Sequence, residues 1–169
     1  FTTDSDCEVL LPLWEQRGTD FLDDLNGIFA FVLYDARDGG RWIIGRDPVG
    51  VVPLYWGRDE DGTLHVASEM KALIPVCVEV SEFPPGHVWD SAVGKPEHYH
   101  RRGWQSWDTL EVQESSHTGL ADALDSAVRR QLMSDVPYGA LLSGGLDSSI
   151  VAALAARHAA KRVEDDERS

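Results

Sequence analysis

Residues 143–149 read Ser-Gly-Gly-Leu-Asp-Ser-Ser, which places three hydroxyls, a carboxylate and two glycines within a single turn of chain. The apolar run 138–142 precedes it, and an alanine-rich stretch of helical period follows from about Ser148 to Arg162. A short buried strand, a glycine turn and a helix start are therefore expected. Such a junction binds anions, because the first amides of a helix lack internal partners and its dipole favours negative charge there. Gly144 and Gly145 allow close approach and unusual φ angles, while Ser143, Ser148 and Ser149 add hydroxyl donors. The stretch has no Gly-Lys-Ser/Thr, which disfavours γ-phosphate chemistry of the Walker type, and no G-x-G-x-x-G for a dinucleotide. The bland alternative is a plain strand-to-helix turn with Asp147 as a helix cap.

The elements around this turn follow from periodicity. Over 118–135 the residues Leu120, Ala123, Leu124, Ala127, Val128, Gln131 and Leu132 recur at helical spacing. Thr118 is the expected cap of that helix, and Arg129 and Arg130 suit the dipole at its end. Towards the N-terminus, 5–17 reads as a short helix capped by Ser5 or Asp6 and limited by Pro12, and 19–25 as a second helical turn. Aromatic and β-branched residues then give strands at 27–35, 41–47, 51–57 and 63–69, joined by turn chemistry into an expected antiparallel meander. Residues 68–75 read as a short helix stopped by Pro75, and 83–90 as a turn at Gly86 leading into a further strand. Residues 98–118 have no sustained period and read as a connector.

Composition narrows the class. The chain has 169 residues, 43% hydrophobic and 9% aromatic, which is a globular composition with room for one or two domains. Its formal charge of −14 repels phosphate backbones and anionic membranes, so neither nucleic acid nor membrane is an expected partner. Two cysteines, Cys7 and Cys77, fit neither a disulfide scaffold nor a zinc site, and a cytoplasmic location is expected. The sequence opens at Phe1 and closes on a charged tail with no further strand, and it reads as an internal fragment of a longer protein.

At this point a resemblance enters. The string at 143–149 resembles the pyrophosphate loop of ATP pyrophosphatases, which adenylate a substrate oxygen. Its context at 134–157 is similar to the start of the synthetase domain of glutamine-hydrolysing asparagine synthetases, the asparagine synthetase B family. Upstream, 25–35, 45–57, 66–73 and 83–89 resemble the second half of that family's class II glutaminase domain. The implied fold is α+β over 1–98, the second half of a glutaminase sandwich. A connector at 99–117 follows, and 118–169 forms the first strand and helices of an α/β ATP-pyrophosphatase (adenine nucleotide alpha hydrolase-like) domain.

The resemblance implies ATP-dependent amidation of aspartate through β-aspartyl-AMP, with ammonia taken from glutamine. Asp6 matches the residue that receives the α-amino group of glutamine, although Asp4 stands where many members have glycine. Leu142 matches the residue packing on AMP. Ser143, Gly144, Gly145, Asp147, Ser148 and Ser149 match the pyrophosphate cradle, with Asp147 either helping to organise Mg²⁺ or ordering the loop. ATP and Mg²⁺ are the implied cofactors; glutamine and aspartate are the implied substrates and a homodimer the implied assembly. The family's N-terminal cysteine nucleophile has no counterpart, Cys7 reading instead as a packed small hydrophobe, so no catalytic residue is assigned and the chain alone is not expected to make asparagine. Arg46 and Asp47 read as a structural turn. The rival readings are a β-lactam synthetase-like enzyme, a tRNA-modifying ligase and a non-catalytic remnant acting as a binding module.

Overall fold

The computed structural model describes residues 2–3, 5–102, 116–134 and 136–166. The chain divides into two compact units, Phe1–Leu110 and Glu111–Ser169.

In the first unit a helical layer and two antiparallel sheets are stacked. A 3-10 turn, Asp6–Val9, runs into α1 (Leu10–Arg17), and a second 3-10 segment, Gly18–Asp24, follows. Pro12 is tolerated because it lies in the first turn of α1, where its missing N–H costs little. The strands are β1 (Ala30–Asp35), β2 (Arg41–Arg46), β3 (Tyr55–Arg58), β4 (Leu64–Ala67), β5 (Glu79–Glu82), β6 (His87–Asp90) and β7 (Pro96–His98). Between β4 and β5 lies the short α2 (Met70–Leu73). The expected meander is corrected: β1-β2-β6-β7 form one sheet and β4-β3-β5 another, so β2 pairs with β6 instead of β3. The reason is visible along β2, where Ile43 and Ile44 are both fully buried on opposite faces. Ile43 packs with Trp14, Phe21, Leu33 and Val88 beneath the helical layer. Ile44 packs with Leu54, Phe83 and Trp89 against the second sheet. A strand covered on both sides must sit inside its sheet, and hairpin neighbours in sequence need not flank it.

Two strands escape sequence reading. β5 carries Glu79, Val80, Ser81 and Glu82 and has no apolar face to reveal it. β7 has three residues and starts on Pro96, which is tolerated at the first position of an edge strand. Where β7 meets β6, His98 faces His87 across the ladder, their rings stacked at 4.7 Å. Burial, reinforced by the charges of His87, Arg101 and His100, pushes the His98 pKa below the ordinary histidine value. The unfolded chain therefore takes up this proton first, so His98 lowers stability as pH falls from about 6.5 through the depressed folded value. His98→Gln is expected to flatten the loss of stability between about pH 6.5 and 5 in urea titrations.

The second unit contains α3 (His117–Gln131) and α4 (Leu146–Asp166). Their contact buries Val128 and Ala155. Across it Asp125 accepts hydrogen bonds from Arg157 at 2.8 Å and from His158 Nε2 at 3.1 Å. The cap of α3 is corrected from Thr118 to Ser116, whose hydroxyl accepts from the Gly119 N–H at 3.0 Å. Ser116→Ala is expected to cost about 1 kcal/mol in thermal unfolding and Thr118→Ala no more than a few tenths. The expected strand at 138–142 is also corrected. These residues are irregular, with Leu141 97% and Leu142 65% exposed. A strand needs a neighbour for its amides and carbonyls, and the described residues of this unit form no other strand. The body of the connector reading, 103–115, lies outside the described residues.

Candidate functional site

Each unit carries one candidate site. In the first, Asp6 opens the 3-10 turn before α1 and is exposed. The turn is not capped by the Ser5 hydroxyl, and Asp6, inside the turn, is not its cap either, contrary to the sequence reading. Glu8 folds back instead, its carboxylate accepting from the hydroxyl and N–H of Thr3 at 2.6 and 2.8 Å, and from both groups of Thr2. These bonds, led by that from the Thr3 hydroxyl, lower the Glu8 pKa to about 2. Asp4 lies outside the described residues. Cys7 is exposed, which corrects its reading as a packed hydrophobe: the 3-10 turn that carries it buries none of its residues.

Asp6 and Cys7 stand at a groove of about 580 Å³ whose walls include Leu13, Asn26, Phe29 and Val52. A carboxylate beside a mostly apolar groove suits a small amphipathic ligand with a cationic group at one end. Two wall segments meet at the end of β2. Arg46 is 3% exposed, and its guanidinium donates to Val52 O at 2.9 Å, Gly50 O at 3.0 Å, Phe83 O at 2.5 Å and Glu82 Oε1 at 2.7 Å. Asp47 is 1% exposed; its Oδ1 accepts from the N–H groups of Val49 at 2.9 Å and Gly50 at 2.7 Å. Its Oδ2 is buried without a hydrogen-bond partner among the described residues. Sequence reading placed these two residues in a turn; Asp47 does lie just past the strand, but Arg46 is the last residue of β2, and nothing local signalled Glu82 or Val52 as parts of the same assembly.

In the second unit the Ser143–Ser149 stretch forms the entry to α4. Gly144 has φ +83°, a region that favours glycine, and a Cβ there would meet open space. Ser143 and Ser148 hydroxyls lie 2.9 Å apart, and Ser148 and Ser149 both donate to Gly145 O, at 3.1 and 2.7 Å. Gly145 N–H donates weakly to Ser143 Oγ at 3.4 Å. Asp147 falls within the first turn of α4, because the helix begins two residues earlier than its periodicity suggested. The loop thus gathers Ser143, Gly144, Gly145, Asp147, Ser148 and Ser149 around one helix start, with Leu142 entering it.

Hydroxyl donors and first-turn amides suit a polyphosphate, and the space at Gly144 leaves room for close approach. No group of three or more His, Cys, Asp or Glu that could hold a metal occurs among the described residues. Mg²⁺ nevertheless fits the single Asp147 carboxylate, since it binds through one or two carboxylates, waters and the phosphates of its nucleotide. No helix among the described residues is long and apolar enough to cross a membrane.

Comparison with known proteins agrees with this division. The glutamine amidotransferase domain family matches residues 1–98, and an asparagine synthase family matches 119–165. With more than half its length matched, the chain belongs to the glutamine amidotransferase domain family. Over its whole length it is 52% identical to the glutamine-hydrolysing asparagine synthetase B of Escherichia coli (strain K12), covering 30% of that protein. It is 46% identical over 95% of its length to asparagine synthetase 2 of Arabidopsis thaliana, covering 28% of it. With asparagine synthetase 1 of Saccharomyces cerevisiae (strain ATCC 204508 / S288c) the identity is 42% over the whole chain and 30% of that protein. The chain therefore spans about 30% of the length of these relatives. Their names favour neither a β-lactam-forming enzyme nor a tRNA-modifying ligase.

Proposed function

We propose that this chain is the central part of a glutamine-hydrolysing asparagine synthetase. Residues 1–98 are then the later part of its amidotransferase domain, 99–117 its connector, and 118–169 the beginning of an ATP-pyrophosphatase-type synthetase domain. The observation that carries this reading is the pairing, in one chain, of a mostly apolar groove bearing Asp6 in the amidotransferase-matching unit with a serine- and glycine-rich helix start in the asparagine synthase-matching unit.

In this reading Asp6 accepts the α-amino group of glutamine at the mouth of the groove, and the apolar walls exclude water from its side chain. The Ser143–Ser149 loop receives the pyrophosphate of ATP through the hydroxyls of Ser143, Ser148 and Ser149 and the free amides of α4. Fixed donors of this kind act where charge develops as the phosphoanhydride breaks. Gly144 and Gly145 let the backbone come close, Leu142 packs on the nucleotide, and Asp147 holds Mg²⁺, which neutralises phosphate charge. Aspartate is the acceptor, its side-chain carboxylate becoming β-aspartyl-AMP before ammonia displaces AMP. The protein works in the cytoplasm as a homodimer.

The test is made on the full-length protein with ATP, aspartate and either glutamine or ammonium. Asparagine, AMP and pyrophosphate formed in equal amounts, with glutamate released when glutamine is the donor, is the expected result. Formation of ADP overturns the synthetase reading, and a response to ammonium alone overturns the glutamine reading of the groove.

A further inference from the structure

The groove that carries Asp6 is not held by its own side chains. Phe29 and Ala30 form one stretch of its wall and Val52 belongs to another, and each is fixed from the end of β2. The Asp47 N–H donates to Phe29 O at 2.9 Å. Ala30 is the ladder partner of Arg46. Val52 O receives the Arg46 Nε–H at 2.9 Å, and Gly50, two residues before it, is held by both the Arg46 guanidinium and the Asp47 carboxylate. The guanidinium is anchored on its far side by Glu82 and Phe83, and the Arg46 carbonyl accepts from the Tyr99 hydroxyl at 2.9 Å. Gly50 takes φ +72°, and a Cβ there would lie 2.6 Å from Pro85, so the loop fits closely against its surroundings. A planar fork serving four acceptors in fixed directions transmits position, which a flexible ammonium cannot do.

We propose that Arg46 is a positioning residue for the amide substrate: it sets the placement of Val52, and with it the width of the groove facing Asp6. This rests on the reading of the groove as the glutamine site. Arg46 does not touch substrate. Its effect passes through the wall, so loss of its geometry weakens glutamine binding more than turnover.

The experiment measures glutamine and ammonium kinetics on the full-length protein for wild type, Arg46→Lys, Val52→Ala and the double variant. Arg46→Lys is expected to raise the glutamine KM about tenfold with kcat within about twofold, as a displaced wall should. Val52→Ala, which leaves the arginine network intact, is expected to raise KM similarly. The double variant should be little worse than either, because both changes act through one wall. An unchanged KM in Val52→Ala overturns the proposal even if Arg46→Lys fails to fold. So do multiplicative effects in the double variant, or a parallel fall of glutamine- and ammonium-driven rates in Arg46→Lys, which marks a purely structural role. Failure of the underlying reading is seen separately, as wild-type protein that does not hydrolyse glutamine.

Discussion

Asp147→Asn in the full-length protein is expected to lower ATP-dependent amidation by about 100-fold or more, with glutamine and with ammonium alike. The carboxylate stands in the first turn of α4, beside Ser148 and Ser149, where the helix already favours an anion. On the proposed reading, carboxylate and pyrophosphate share that end only if a cation lies between them. An amide keeps the shape and removes the charge, so the loop should remain formed while its proposed hold on the Mg²⁺–nucleotide weakens. Raising Mg²⁺ should recover part of the lost rate, whereas raising aspartate should not. Steady-state assays of pyrophosphate release distinguish these cases, and an Asp147→Asn protein with wild-type rate would remove Asp147 from the site.

Replacing Arg46 by Met is expected to cost about 3–5 kcal/mol of stability, the scale for breaking a buried charged network from one side. The methionine fills much of the arginine stem but leaves the carbonyls of Gly50, Val52 and Phe83 without their donor. Lys71→Met is the contrast. Lys71 and Glu69 form an ion pair with side chains 83% and 68% exposed, and its loss should cost less than about 1 kcal/mol. Urea unfolding with unchanged m values reads the difference directly. A cost for Arg46→Met as small as that for Lys71→Met would mean that water replaces the guanidinium without penalty.

Much of this architecture was legible because the relevant signals are local. Periodicity located both helices of the second unit, since Val128 and Ala155 recur with neighbours on one helical face. The aromatic and β-branched runs located β1 to β4, although not their partners. Pairing is a non-local property: nothing near Ile43 and Ile44 announces that both faces of β2 will be covered, or that β6 will lie beside it. β5 was invisible because an edge strand with two glutamates carries no alternation. The stretch 138–142 was misread for the opposite reason, as its apolar content suits a strand but the described residues of its unit offer no neighbour. At the sites, the glycines and serines at 143–149 were readable as a turn into a helix start from their types alone. The Arg46 network was not, because its partners at 50, 52, 82 and 83 converge only in the fold.

The double burial of β2 also orders the molecule in time. Amides of Ile43 and Ile44 are shielded from both directions, and they should be among the last to exchange with deuterium, opening only with the whole unit. Arg46 closes that same strand. The Val52 wall is therefore tied by its hydrogen bond to the strand expected to open last in the unit. That side of the groove should keep its place for as long as the unit stays folded.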